Sequence, residues 1–275
     1  MKNLIFSIIR IIVGTIIAIP LLLYPYLYFI QEKLLFIRQD LSHSVQNYSF
    51  VEEVQIKTHD NVTLHGWLVK SEPKAPLLIY FGGNAEEVSG HIMDYKQLAG
   101  WSLLLVNYRG YGLSTGSPSE KNLFNDAVLL YDTFANRSDV DSNKIVAFGR
   151  SLGTGVAVYL ASQRNLQGVV LVSPYDSMKN LAQEYYPYVP VSLLLKHHFD
   201  SMSYASVIKA PMLTMIAELD QIITPKHSLR LVKAWGGTVQ QKIIKNANHD
   251  DISLASQYWE TVTYFLDSVL EKDQL

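Results

Sequence analysis

The stretch from Lys144 to Gln163 constrains the fold more than any other. A short apolar run, Ile145–Phe148, leads into Gly149-Arg150-Ser151-Leu152-Gly153, and a helical pattern follows at once. A compact apolar run bounded by glycine reads as a fully buried strand. Passing from strand to helix at one residue forces that residue into strained backbone angles. Side chains two positions to either side would then collide with neighbouring elements, so Gly149 and Gly153 are expected to serve the turn itself. Such a turn lifts the Ser151 hydroxyl above the sheet edge and aims a helix N-terminus at it.

The surrounding chain has the matching texture. Phe50–Thr58 and Val62–Val69, separated by His59-Asp60-Asn61, predict an antiparallel hairpin. Leu77–Phe81 and Trp101–Asn107 read as buried strands, with a polar helix expected over Glu86–Leu98 between them. Ser117-Pro118-Ser119-Glu120 is a helix start signal, and Leu123, Phe124, Ala127, Leu130, Tyr131 and Phe134 at helical spacing carry that helix to Asn136. Strands over Lys144–Gly149, Gly168–Val172, Pro211–Ala217 and Gln240–Ile244, and helices over Leu152–Gln163 and Ile252–Leu270, complete the pattern. Alternation of this kind predicts an α/β fold whose mostly parallel sheet is covered by helices on both faces. Tyr175–Ser206 breaks the rhythm. Pro187, Pro190 and many aromatic and aliphatic residues mark it as a lid-like insertion over the C-terminal edge of the sheet.

A serine hydroxyl is a weak nucleophile and needs an adjacent base, itself held by a carboxylate. For a serine on a strand–helix turn the acid follows in the chain and the histidine comes last. Asp220 lies just after Pro211–Ala217, and His249 after the last strand. Asp176 and Glu218 compete for the place of the acid. The amide of Leu152 and that of Asn84, in Phe81-Gly82-Gly83-Asn84-Ala85, are the candidate donors to a developing oxyanion, Gly82 and Gly83 giving the loop close access. His197, His198 and Asp200 could resemble a metal cluster, but adjacent rings do not readily face one ion. No metal or cofactor is expected. Glu184 and Arg150 are the residues that could meet a peptide terminus.

The N-terminus is of another kind. Ile11–Ile30 carries no charge, and Arg10 alone interrupts Leu4 to Gln31. Twenty residues at about 1.5 Å each make about 30 Å, the thickness of a bilayer's hydrocarbon layer. Tyr24, Tyr26 and Tyr28 stand where amphipathic rings favour the interface, and Pro20 and Pro25 are expected to kink or end the helix. No small-x-small cleavage site follows the run. The expected organisation is an anchor and linker over residues 1–40 (spanning about 11–30), then a catalytic domain over 41–275 with the lid at 175–206. Lys2 and Arg10 precede the run while Lys33 and Arg38 follow it, and the free amino terminus tilts the balance toward an extracytoplasmic domain.

Composition narrows the chemistry. With 23 basic and 25 acidic residues the net charge is −2, which argues against nucleic acid as a partner. The absence of cysteine excludes disulfides, zinc thiolates, iron–sulfur clusters and cysteine nucleophiles.

Five segments together, Phe81–Ala85, Asn107–Gly116, Gly149–Gly153, Asp220–Pro225 and His249–Ile252, resemble the α/β-hydrolase superfamily. More narrowly, they are similar to its serine-aminopeptidase-like and monoglyceride-lipase-like members, including a membrane-anchored subgroup. The resemblance covers Val51 to Leu270. Gly82 departs from it, standing where many members have histidine, and so does Asn248, where glycine usually precedes the histidine. The resemblance implies hydrolysis of an ester, thioester or peptide through an acyl-enzyme. With an apolar lid beside an anchor, the expectation is an ester or thioester of a small or lipid-like acyl substrate. An aminopeptidase-like amide hydrolase and a catalytically idle tethered scaffold are the rival readings.

Overall fold

A computed structural model of the chain describes residues 2–41, 45–98 and 100–271. The C-terminal limit expected for the catalytic domain, and the residues just after its expected start at 41, lie outside the described residues.

Among those residues eight strands form one sheet. They are β1 (Val51–Lys57), β2 (Thr63–Val69), β3 (Ala75–Phe81), β4 (Ser102–Val106), β5 (Val140–Arg150), β6 (Gly168–Val172), β7 (Met212–Ala217) and β8 (Val239–Ile244), in the spatial order β1-β2-β4-β3-β5-β6-β7-β8. The β1–β2 hairpin is antiparallel, β2 also runs antiparallel to β4, and all pairs from β4 to β8 are parallel. Helices are α1 (Lys2–Leu35), α2 (Glu120–Ala135), α3 (Leu152–Gln163), α4 (Met178–Tyr185), α5 (Val191–Leu194), α6 (Ser201–Ala205), α7 (Pro225–Ala234) and α8 (Gln257–Glu271).

The central strands are apolar on both faces because both are covered. Leu77, Ile79, Ile145 and Ala147 point into one core, while Leu78, Tyr80, Val146 and Phe148 point into the other, as the two-residue period of a strand requires. Ser119 caps α2 by accepting the Asn122 N–H at 3.2 Å. Because β3 is followed by β4 on one side and β5 by β6 on the other, the connections leave these two neighbouring strands in opposite directions. The crevice above the C-terminal ends of β3 and β5 is therefore the topological switch point, where open α/β sheets accommodate ligands.

Four elements differ from expectation. The helix expected over Glu86–Leu98 is present in the tighter 3-10 form, over Val88–Gln97. Its first donor, the Val88 N–H, is taken by the Asn107 side chain, and Gly90 weakens an α-helix interior. The terminal helix is divided: Ile252–Leu254 forms a 3-10 turn and α8 begins at Gln257. Helix α1 continues through Pro20 and Pro25 to Leu35, about 50 Å at 1.5 Å per residue. It is the one described helix long and apolar enough to cross a membrane. The segment between β7 and β8 holds α7, a helix with Pro225 in its first turn that no apolar stripe announces.

The insertion between β6 and β7 carries α4, α5 and α6, and an ionic cluster fixes α4 to α7. His227 bonds through Nδ1 to Asp176 at 2.7 Å and through Nε2 to Glu184 at 2.8 Å, and Arg230 reaches the other Asp176 oxygen at 3.0 Å. Burial disfavours the imidazolium of His227, but its bonds to Asp176 and Glu184 prevail and raise its pKa. Replacing His227 by leucine leaves the wholly buried Asp176 without its principal partner. The expected loss is about 3 kcal/mol of unfolding free energy, measurable by chemical denaturation.

Candidate active site

The turn at Ser151 has the geometry its neighbours imply. Ser151 sits at φ 51° and ψ −119°, between the end of β5 and the start of α3. A conformation of that kind costs about 1–3 kcal/mol and survives only where the surroundings enforce it. The Ser151 N–H donates to the Val172 carbonyl of β6, and the Thr154 hydroxyl returns to the Ser151 carbonyl at 2.6 Å. The glycines are dictated by backbone. A Cβ on Gly149 would lie 2.5 Å from the Gly153 carbonyl oxygen, and one on Gly153 would lie 2.0 Å from that of Phe81.

Three side chains from three loops meet there. His249 Nε2 is 2.9 Å from Ser151 Oγ, and His249 Nδ1 is 2.8 Å from Asp220 Oδ2. The second Asp220 oxygen accepts the N–H groups of Ile222 and Ile223 at 3.0 and 2.7 Å. Burial raises the Asp220 carboxyl, but the His249 bond and the Ile223 amide outweigh it and keep its pKa below the usual value. Asp176 faces His227 instead, and Glu218 accepts the Asn246 N–H in an exposed loop. All three members of the chain follow the C-terminal ends of parallel strands: β5, β7 and β8.

Above the serine lies the loop after β3. Among the described residues neither the Asn84 nor the Leu152 N–H donates to a protein acceptor. Gly82 and Gly83 are less constrained than the elbow glycines. Neither has a positive φ, and a Cβ at either would meet only side chains, at 3.3 Å or more. A Cβ on Gly83 would lie 3.8 Å from the Ser151 Cβ, so what the glycine preserves is open space over that serine.

That loop is braced by residues not anticipated from sequence. The Tyr108 hydroxyl donates to the Gly82 carbonyl at 3.0 Å and the Tyr111 hydroxyl to the Asn84 carbonyl at 2.7 Å. The Ile37 N–H, from the segment after α1, donates to the same Asn84 carbonyl at 3.0 Å. Both tyrosines lie in Asn107–Gly116, a segment the resemblance had marked without a role. From below, Glu86 accepts the Gly83 N–H at 2.7 Å and the Arg150 guanidinium at 3.3 Å, while Arg150 also donates to the His249 carbonyl. Glu86 thus connects the loop, the elbow and the histidine. Burial pushes its carboxyl up, but His91, Tyr80 and the Gly83 amide bring it down to about 2. Burial likewise disfavours charged His91, whose bonds to Asp94 and Glu86 raise its pKa to about 9.

The cleft encloses about 420 Å³, lined by Gly83, Asn84, Ser151 and His249 and roofed by Tyr175, Met178 and Leu181 from the insertion. Glu184 lies outside it, engaged with Lys226 and His227. His197 and His198 are directed elsewhere: His197 Nδ1 accepts the Glu120 N–H at 3.3 Å, and the His198 N–H donates to the Glu120 carboxylate. Among the described residues no three His, Asp or Glu side chains are placed so that they could hold a metal ion.

Residues 76–196 match the protein family described as alpha/beta hydrolase fold. An uncharacterized protein of Mycobacterium tuberculosis is 34% identical over 206 residues, covering 74% of this chain and 73% of the relative. An uncharacterized membrane protein of Saccharomyces cerevisiae is 29% identical over 226 residues, covering 78% and 79% of the two chains. Among solved structures, the acetyl xylan esterase from Paenibacillus sp. R4 superposes with a TM-score of 0.67 at 20% identity, over 88% of this chain and 93% of that one. At that identity the likeness concerns the fold.

His91 makes the brace under the cleft pH-dependent. Its folded-state pKa of about 9 exceeds the ordinary 6.5, so the stability it contributes is complete below pH 6.5 and lost as pH rises through 9. In His91→Gln the unfolding free energy is expected to be lower at about pH 6 and to lose less on going to about pH 9.5, as read by denaturation at both values.

Proposed function

Because the chain belongs to the α/β-hydrolase fold family, we propose that it is a serine hydrolase of carboxylic esters or thioesters, acting from a membrane anchor. The observation that carries this reading is the unbroken hydrogen-bond chain from Ser151 Oγ through His249 to Asp220. His249 Nε2 takes the Ser151 proton as Oγ attacks the substrate carbonyl, and Asp220 holds the ring and stabilises the imidazolium. The alkoxide that develops lies against the N–H groups of Asn84 and Leu152, whose free donors suit it. Collapse of the tetrahedral species expels the alcohol or thiol, which receives the proton from His249. Water then follows the same path and releases the acid.

Three further features favour an acyl ester over an amide of a charged peptide. The roof of the cleft, Tyr175, Met178 and Leu181, is apolar. Glu184, a candidate to meet a peptide amino terminus, is taken up by Lys226 and His227. Arg150 lines the cleft, but its guanidinium is held by Glu86 and the His249 carbonyl. The anchor reading rests on α1 and on the membrane assignment carried by the yeast relative's name. Esterase names among structures of the same fold agree with the reaction class.

A fluorophosphonate probe is expected to label the protein and to fail with Ser151→Ala. On p-nitrophenyl esters, Ser151→Ala and His249→Ala should each lower kcat by about 10⁴–10⁶. Asp220→Asn should cost about 10⁴ by favouring the wrong imidazole tautomer. Serine-independent labelling, or a loss below tenfold in either of the first two variants, would remove the assignment.

A further inference from the structure

A second cavity, of about 340 Å³, lies beside the catalytic cleft and is walled jointly by the N-terminal helix and the insertion. From this cavity we infer that the protein takes the long acyl chain of a membrane lipid ester directly from the bilayer, with α1 forming one wall of the acyl site. The inference deepens the esterase reading above and rests on it.

Four observations lead to this assignment. The first is composition. Leu27, Leu34 and Leu35 of α1 face Ala182, Val189 and Leu194 of the insertion. Of the polar residues at the wall, Gln31 and Tyr185 turn their polar ends to backbone, and Tyr186 is half-exposed. Gln31 donates to the Leu194 carbonyl and accepts the Lys196 N–H, and the Tyr185 hydroxyl donates to the Gln221 and Ile222 carbonyls. What remains to a ligand is hydrocarbon, which an alkyl chain fills and a sugar, nucleotide or peptide terminus does not.

The second is continuity. Leu35, Met178 and Leu181 line both this cavity and the catalytic cleft. The two spaces are thus separated only by apolar side chains, over which a chain whose carbonyl carbon sits at Ser151 Oγ would run on between α4 and α1.

The third is depth. The cavity occupies the Leu27–Leu35 end of α1, overlapping the last residues of the uncharged run and beside Tyr24, Tyr26 and Tyr28. Aromatic residues and Lys33 mark that level as the membrane–water interface, the depth at which the ester groups of glycerolipids lie. The site therefore meets a lipid where its scissile bond already is, and the acyl chain need not cross water.

The fourth is attachment. The insertion is fastened to α1 by the Gln31 clamp, by Lys196 to Glu32 at 3.2 Å and by the Tyr24 hydroxyl to the Tyr188 carbonyl at 3.3 Å. Tyr188 and Leu193 project outward, 93% and 81% exposed, next to a helix whose surface is itself apolar. Exposed apolar residues adjoining a membrane helix lose their solvation cost on entering lipid. The same helix ends in a segment whose Ile37 N–H holds the Asn84 carbonyl, so the acyl wall and the oxyanion loop share one piece of chain.

The test uses the full chain in phosphatidylcholine vesicles. In one measurement a diazirine-bearing palmitic acid included in the bilayer is photolysed and the adducts mapped by mass spectrometry. Adducts on Leu27–Leu35 and on residues 182–194 are expected. Their diminution is expected in Ala182→Trp and Leu34→Trp, which fill the cavity. Adducts confined to residues 4–26, or unchanged by both substitutions, overturn the inference. In the second measurement kcat/KM is compared for a hexadecanoyl ester in the bilayer and for p-nitrophenyl acetate. The long-to-short ratio should fall by at least about tenfold in both variants. An unchanged ratio while acetate is still turned over overturns the acyl site and leaves the esterase reading standing. Absence of hydrolysis of either ester by the unaltered chain, together with absence of fluorophosphonate labelling, overturns that reading instead, and this inference with it.

Discussion

The backbone of Ser151 is the constraint around which the rest is arranged. A non-glycine residue at φ 51° and ψ −119° is held only because β5, α3 and β6 leave it no alternative. The contacts that enforce it are backbone against backbone: Gly149 against Gly153 and Thr154, Gly153 against the Phe81 and Gly82 carbonyls. These approaches bring the end of β3 against the first turn of α3. The loop after β3 and the N-terminus of α3 consequently face one space, with the hydroxyl between them.

Around that core constraint the cleft is supported from three directions. Tyr108 and Tyr111 hold the Gly82 and Asn84 carbonyls, Glu86 gathers the Gly83 amide and Arg150, and the Ile37 amide joins from the chain that leaves α1. Each of these groups is polar and largely enclosed, so each must be partnered or cost stability. Satisfying them all fixes one loop conformation. In the proposed reaction the Asn84 and Leu152 N–H groups would then be oriented before substrate arrives, which is the condition under which such donors act in catalysis.

Much of this was legible in the chain itself. The strand–turn–helix at Ser151, the apolar runs of β3 to β7 and the order serine, acid, histidine follow from local pattern. Apolar periodicity reports burial of hydrocarbon and nothing else. It passed over α7, whose buried face includes His227 and Ser228, held by Asp176 and by the Pro174 carbonyl. The polar helix read over Glu86–Leu98 likewise did not show the 3-10 form of Val88–Gln97, where a side chain from Asn107, 19 residues away, takes the first donor. The choice between Asp176 and Asp220 was beyond pattern too. Both follow strands, and only their tertiary partners, His227 for one and His249 for the other, separate them.

Local pattern was enough for the class of fold, the position of the candidate nucleophile on its elbow and the presence of an uncharged run long enough to cross a bilayer. These depend on spacing within a few residues, where covalent geometry and burial act directly. What stands beside the serine came from folding in three dimensions: which carboxylate meets His249, which tyrosines brace the loop, and that α1 ends as a wall of an apolar cavity. Those outcomes depend on groups up to 165 positions apart, as Gln31 and Lys196 are. Nothing in the local chain records such pairings, because they arise only when the sheet has brought its strand ends together.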